Sequence, residues 1–174
     1  KIDTGYRRTG IWHENVDEIK NLMDSIKDTH KFKGLLAHFG HTYKATDAKE
    51  VVSIYNTGVE RLNILRQLLG QDMMISIGDT PSSSLVEDYG EVDELRPGNL
   101  IFYDVMQAEI GSCKYDQVAV CLAAPVVAIY PGRSEVVLHC GAVHLSKDFL
   151  LDDKNQPYFG RIVTLNDKGW SKPI

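Results

Sequence analysis

Apolar residues recur in this chain with two periods, and the change from one to the other divides it. Val16, Ile19, Leu22 or Met23, and Ile26 form a stripe at helical spacing, which predicts a helix there. Asn15 is its expected N-cap, with Glu18 three residues on in a capping-box arrangement. Val51, Ile54, Tyr55, Leu62, Leu65, Leu68 and Leu69 predict a longer helix, capped by Thr46 and closed by Gly70. Short apolar runs lie between these helices. Ile2 falls in a strand, and Phe32–Phe39 in a second, whose Leu35-Leu36-Ala37 centre suits a sheet covered on both faces. Met73–Ile77 predicts a third strand, and Leu100–Tyr103 a fourth, just after a Pro97-Gly98 turn. Alternating strands and helices are the mark of an α/β fold with a parallel sheet and right-handed crossovers.

From about Gly111 the pattern becomes one of strands and turns. Gln117–Ala124, Val126–Tyr130, Val136–Cys140 and Gly160–Leu165 read as strands. Pro131-Gly132-Arg133-Ser134 reads as a hairpin turn and Asp167-Lys168-Gly169 as another. The expected organisation is an α/β unit over residues 1–110 and a mostly antiparallel β domain over 111–174, with the boundary between Asp104 and Tyr115. The longest apolar run, Val118–Tyr130, is too short to span a bilayer and contains Pro125, so no membrane partner is expected.

Composition narrows the partners. The 174 residues carry a net charge of −5, with acids and bases interspersed and no basic stripe, which argues against nucleic acid. Three cysteines without CxxC spacing fit buried thiols in a reducing, cytoplasmic compartment better than a disulfide framework. Residue 1 is Lys, and the chain is expected to begin partway through a larger protein, so a missing targeting signal carries no weight.

In parallel sheets ligands bind at the carboxyl ends of the strands. Gly5–Arg8, His38–Tyr43 and Gly78–Ser84 each follow a predicted strand and mix Gly, hydroxyl and basic residues; Arg96 joins them before its turn. We expect the four to converge on one phosphorylated cofactor. Gly78 permits close backbone approach, while Thr80 and the serines offer hydroxyls to phosphate oxygens. Alone, that stretch reads better as an ordinary Ser-rich surface loop; Arg96 and Gly98 shift the balance. His38 could be hydrogen-bonded scaffolding, but His41 and Tyr43 beside it favour a cofactor wall. Arg7 is expected in solvent. His139, Cys140 and His144 invite a metal reading, yet on an extended strand Cys140 and His144 stand about 13 Å apart. His139 points the other way, so a structural role is expected and no metal site.

Lys1-Ile2-Asp3-Thr4-Gly5-Tyr6-Arg7-Arg8-Thr9-Gly10 resembles the KxDTGxxRxG segment of the alanine racemase family, the fold-type III pyridoxal-phosphate enzymes. Ala37-His38-Phe39 resembles that family's Thr-His-Phe segment, and Leu95–Tyr103 its Arg-Pro-Gly strand. Within the family the chain is closer to the D-serine dehydratase and D-threonine aldolase branch. His38-Phe39-Gly40-His41-Thr42-Tyr43, Gly98–Asp104, Gly141–Asp148, Gly160–Val163 and Gly169–Pro173 carry that likeness.

The resemblance implies part of a (β/α)8 TIM-type barrel followed by a β domain, since four strands cannot close an eight-stranded barrel. It implies pyridoxal 5'-phosphate held by Arg8, His38, His41, Tyr43, Gly78, Thr80, Arg96, Gly98 and Asn99. In that scheme His38 packs on the ring and Arg96 faces its nitrogen, Arg8 meets the ring hydroxyl, and Gly78, Thr80, Gly98 and Asn99 cradle the phosphate. It also implies a small D-amino acid substrate and a homodimer. The family's Schiff-base lysine matches none of Lys1, Lys44 or Lys147, so no catalytic residue is assigned; Lys1 is expected to pair with Asp3 or line the site. The zinc ligands of the branch have no counterpart in this chain. Racemisation, β-elimination and retro-aldol cleavage stay open. So do a non-catalytic half-barrel that binds a partner segment and a cofactor-homeostasis protein, the latter disfavoured by the β domain.

Overall fold

The computed structural model describes residues 1–70, 72–167 and 169–174. Strand β1 (Ile2–Asp3) ends in a carboxylate that turns the chain: Asp3 Oδ1 accepts from the N–H groups of Gly5 (2.9 Å) and Arg7 (3.0 Å). Gly5 and Arg7 both take positive φ there. The loop returns β2 (Ile11–Trp12) parallel to β1, with Ile2 opposite Ile11. That use of Asp3 replaces the expected pairing with Lys1, which forms no ion pair among the described residues.

Helix α1 (Val16–Ile26) starts at Asn15 as expected, but no capping box forms. Asn15 Nδ2 donates to Glu18 Oε2 at 3.2 Å, so both side chains satisfy each other rather than the backbone. Helix α2 (Ala48–Leu69) is capped by Asp47, whose Oδ1 accepts from Glu50 N–H at 2.8 Å. Thr46, the expected cap, instead donates its N–H and hydroxyl to the Glu50 carboxylate. A carboxylate satisfies the helix N-terminus as a hydroxyl can, and adds a negative charge that interacts favourably with its dipole. Gly70 closes the helix at φ +135°.

Strands β3 (Gly34–Ala37), β4 (Met74–Ile77) and β5 (Glu94–Leu95) form a parallel sheet in that order, with Ala37 opposite Ile77 and Ile77 opposite Leu95. Leu35, Ala37, Ile75 and Ile77 project to one face and bury against Ile19, Phe39, Tyr55, Leu62 and Leu65. Gly58 makes room in α2: a Cβ there would lie 2.6 Å from the Phe39 ring. The pleat sends Leu36 and Met74 to the other face, where they are 36% and 43% exposed. Cover on both faces is therefore not supplied by the described residues.

The fourth strand is β5, not Leu100–Tyr103. Arg96 N–H still bonds Ile77 O (2.8 Å), but Pro97 has no N–H to continue the ladder. Leu100–Phe102 then turn, closed by Tyr103 N–H on Asn99 O (2.8 Å), and their side chains are exposed. Nor is Gly78–Ser84 a loop: α3 (Thr80–Leu85) begins there, with Asp79 as N-cap and Pro81 in its first turn. Ser83 and Ser84 donate back to Asp79 O and Thr80 O, both at 2.8 Å, so those hydroxyls serve the helix. Helix α4 (Val105–Ile110), capped by Asp104, seats Ile110 against Ala45 and Val51.

The remaining strands pair two by two, all antiparallel: β6 (Val126–Tyr130) with β7 (Glu135–Leu138), β8 (Leu150–Leu151) with β9 (Pro157–Tyr158), and β10 (Leu165–Asn166) with β11 (Gly169–Trp170). The turn at Pro131–Arg133 joins β6 to β7 as expected. Gln117–Ala124 is not a strand, and of Gly160–Leu165 only Leu165 is. Val120 and Leu122 are 61% and 42% exposed, so no layer covers this apolar stretch and holds it extended. The turn at Asp167-Lys168-Gly169 includes Lys168, which lies outside the described residues. Glu109 ties this half to α4: its Oε1 accepts from the hydroxyls of Tyr115 and Tyr158 (the latter at 2.8 Å) and from Arg161 Nη2 (3.3 Å). The three cysteines are free; Cys121 is exposed and Cys113 and Cys140 half-buried, against the expected burial. No described helix is long and apolar enough to cross a membrane.

Candidate cofactor site

The loops leaving β1, β3, β4 and β5 meet at the carboxyl edge of the sheet. His38, at the exit of β3, donates from Nδ1 to the carbonyl of Gly78, at the exit of β4. That bond uses Nδ1 as the donor and, in this tautomer, leaves Nε2 able to accept. Gly78 is needed for the approach of the next strand, since a Cβ there would stand 2.6 Å from Arg96 O.

Arg96 lies across the strand ends. Its Nε donates to Ser76 Oγ (2.7 Å) and its Nη2 to Ala37 O (3.1 Å) and Ser76 O (3.4 Å); Glu94 is 3.6 Å away. Its Nη1 has no partner among the described residues. A guanidinium held along one edge keeps its Nη1 available to a further acceptor.

Tyr43, Thr80 and Asn99 form a continuous relay. Thr80 N–H donates to Tyr43 Oη (3.1 Å), and Asn99 N–H donates to Thr80 Oγ1 (2.9 Å). Asn99 Nδ2 holds Asp104 at 2.7 Å. The position a Cβ would take on Gly98 has nothing within 4 Å, so the backbone there lies open. Tyr43 reaches His38, ring centroids 6.3 Å apart.

Tyr6 completes the wall from the first loop. Its ring meets His38 edge-on at 5.7 Å and stacks on His41 at 6.0 Å, and the Arg8 guanidinium lies 5.0 Å above it. A Cβ on Gly40 would collide with that ring and stand 2.8 Å from His38 Nε2. Arg7 points outward over Trp12, as expected. His41 is held below its ordinary range, first by burial, with Asp79 and Asp3 opposing and Arg61 and His38 reinforcing. Burial also pushes the Asp79 carboxyl up, against hydrogen bonds from Ser82 and Thr42 and the charge of His38.

All nine residues expected around a cofactor thus fall in one connected patch. Five others are less visible in sequence. Tyr6 lies in the first motif but at an unspecified position. Ser76 and Glu94 are read only once the strand register is known. Asp79 looks like one more loop acid. Arg61 comes from the middle of α2, and its Nη1 donates to Thr4 O at 2.6 Å. The stretch 139–145 turns at Gly141 instead of extending, so the strand spacing applied to Cys140 and His144 does not hold. Among the described residues no group of three or more His, Cys, Asp or Glu is placed to hold a metal.

A phosphorylated pyridine fits this patch on its own terms. Among the described residues Arg96 Nη1 has no partner and Gly98 lies open, with the Tyr43 and Thr80 hydroxyls and the His38 and Tyr6 rings beside them.

The fold matches about half of larger solved α/β chains. It matches D-threo-3-hydroxyaspartate dehydratase from Delftia sp. HT23 with a TM-score of 0.76 at 19% identity, over 97% of this chain and 49% of that one. It matches D-threonine aldolase from Filomicrobium marinum with a TM-score of 0.62 at 18% identity, over 97% and 47%. In sequence, residues 1–105 match the alanine racemase N-terminal domain, and the chain belongs to that family. D-serine dehydratase of Dictyostelium discoideum is 34% identical over 164 residues, 85% of this chain and 40% of the relative. The chain therefore spans under half the length of these relatives.

Proposed function

We propose that this chain supplies the ring-facing wall and phosphate cradle of a pyridoxal-phosphate enzyme that dehydrates a small β-hydroxy D-amino acid. The observation that carries the reading is Arg96, fixed by Ser76 and Ala37 beside His38 with Nη1 unpaired. When bound, the cofactor supplies an electron sink for the carbanion formed at Cα of the substrate. Arg96 would face the ring nitrogen with its guanidinium and so moderate that sink. His38, with Nδ1 held by Gly78, would pack against the ring; Gly78, Thr80, Gly98 and Asn99 would hold phosphate; Arg8 would meet the ring hydroxyl; His41 and Tyr43 would buttress the wall.

Dehydration is favoured over racemisation and aldol cleavage because dehydratases recur among the sequence relatives, three named for D-serine and one for D-threo-3-hydroxyaspartate. We further propose the division into units 1–110 and 111–174, a homodimer, zinc bound outside this chain, and a cytoplasmic location in keeping with three free thiols.

The test is a panel of D-serine, D-threo-3-hydroxyaspartate, D-threonine and D-alanine with the pyridoxal-phosphate-saturated protein that bears this chain. D-Serine should lose water across Cα–Cβ and yield pyruvate and ammonia in equal amounts. Glycine with an aldehyde, or racemised product without keto acid, would replace dehydration by another reaction. No turnover of any substrate would remove the catalytic reading.

A further inference from the structure

Among the described residues Asp79 is the only acid in the buried set, 1% exposed. Its Oδ1 serves two partners, accepting from Ser82 N–H (2.8 Å) and the Thr42 hydroxyl (2.9 Å). Its Oδ2 is equally buried and accepts nothing. His41, the residue before Thr42, carries the complementary deficit: its Nδ1 is buried with no partner. A helix cap needs one oxygen, so capping α3 accounts for half of this carboxylate only. A buried carboxylate oxygen and a buried imidazole nitrogen each cost free energy when unpaired. The Thr42–Asp79 bond already brings their two segments together.

We propose that Asp79 Oδ2 accepts the Nδ1 proton of His41, directly or through one bridging water, making Asp79 a positioning residue that fixes the tautomer and orientation of His41. A bridging water needs a polar site with at least two partners, and these two atoms provide them. His41 then keeps a bare Nε2, on the side where Gly5 has no side chain; a Cβ on Gly5 would lie 3.8 Å from it. The orientation passes onward through Tyr6, which stacks on His41 and meets His38 edge-on. Asp79 thereby sets the ring that we assign to the cofactor wall. That use rests on the cofactor reading; the pair itself does not.

The groups facing His41 fix the expected titration. Asp79 from the start of α3 and Asp3 from β1 favour the imidazolium; Arg61 from α2 and His38 from its own loop oppose it, as does burial. Asp79 is the strongest of these charges, so its removal must lower the His41 midpoint further. Asp79→Asn is the informative change. Its amide oxygen can still cap α3 and accept from Thr42, but its NH2 cannot accept the Nδ1 proton.

The experiment is imidazole 15N NMR of the protein that bears this chain, labelled at histidine and without cofactor, over a pH series. His41 should show a protonated Nδ1 and a bare Nε2 when neutral. In Asp79→Asn the proton should move to Nε2 and the midpoint should fall. A wild-type His41 protonated at Nε2 overturns the proposal, and so does an unchanged tautomer in Asp79→Asn. Should that variant not fold, the wild-type tautomer decides alone. Since no cofactor is present, failure here and failure of the cofactor reading are separate results.

Discussion

Replacing Gly78 and Gly98 by alanine, one at a time, separates what holds the sheet together from what leaves room for a ligand. Neither glycine takes a positive φ, so the added methyl is the whole perturbation. At Gly78 a Cβ would stand 2.6 Å from Arg96 O, 3.1 Å from Arg96 Cβ and 3.3 Å from Arg96 C. The first and last of these are backbone, so the exits of β4 and β5 must separate rather than a side chain swing aside. Overpacking of that kind costs about 1–3 kcal/mol. At roughly 2–4 °C per kcal/mol for a chain of this size, the melting temperature should fall by about 2–12 °C. At Gly98 nothing lies within 4 Å of the Cβ position, so stability should change by less than about 0.5 kcal/mol. Pyridoxal-phosphate affinity should reverse the order of interest: Gly98→Ala keeps its fold yet loses affinity, because the methyl fills space assigned to phosphate. Thermal unfolding by circular dichroism and a spectroscopic cofactor titration measure the two effects. Equal melting temperatures for both variants would refute the close approach at Gly78. Unchanged affinity in Gly98→Ala would remove that glycine from the cradle.

Three further outcomes follow from the packing. Asp47→Ala should cost about 1 kcal/mol through loss of the α2 cap, and Thr46→Ala under half of that, read from urea unfolding midpoints. Gly58→Ala drives a methyl to 2.6 Å from the buried Phe39 ring and should cost about 1–3 kcal/mol in the same assay. Glu109 is held below the ordinary carboxylate range, first by the Tyr115 hydroxyl and then by Tyr158 and Arg161, with burial opposing. A depressed folded value means that its tie is present above the ordinary Glu range, about pH 4–5, and is lost as pH falls through the folded value. Protection factors of the amides in residues 157–162 should therefore fall in acid, and Glu109→Gln should show low protection already at pH 7.

Helices and buried strands were legible because their apolar periods are set by burial on one face. Ile19 of α1, Leu62 and Leu65 of α2 and the Ile75–Ile77 strand are cases in point. The site was legible for another reason: parallel topology sends every strand-exit loop to one edge, so His38, Gly78 and Arg96 had to meet. Failures cluster where a single hydrogen bond decides. Pro97 ends the ladder of β5, and Leu100–Tyr103, expected as the strand, turns instead. Asp47 outcompeted Thr46 by its charge, and Asp79 turned a serine-rich loop into α3. Beyond residue 117 the apolar runs have no covering layer, so alternation there could not fix the strands. Arg61 and Ser76 act across 57 and 20 residues of sequence, and no local pattern announces such contacts.

The central claim is that Arg96, and not merely a basic surface, meets the cofactor. Its most direct test is pyridoxal-phosphate affinity of the protein bearing this chain, measured for wild type, Arg96→Ala and Arg7→Ala. Arg7 is an exposed cation whose loss should change affinity less than about threefold. Arg96 presents a fixed guanidinium edge with Nη1 unpaired, and its loss should weaken binding at least about tenfold, or 1.4 kcal/mol. Weakening by Arg96→Ala at least about tenfold beyond wild type, with Arg7→Ala near wild type, is the predicted result. Equal weakening by the two substitutions would contradict the account.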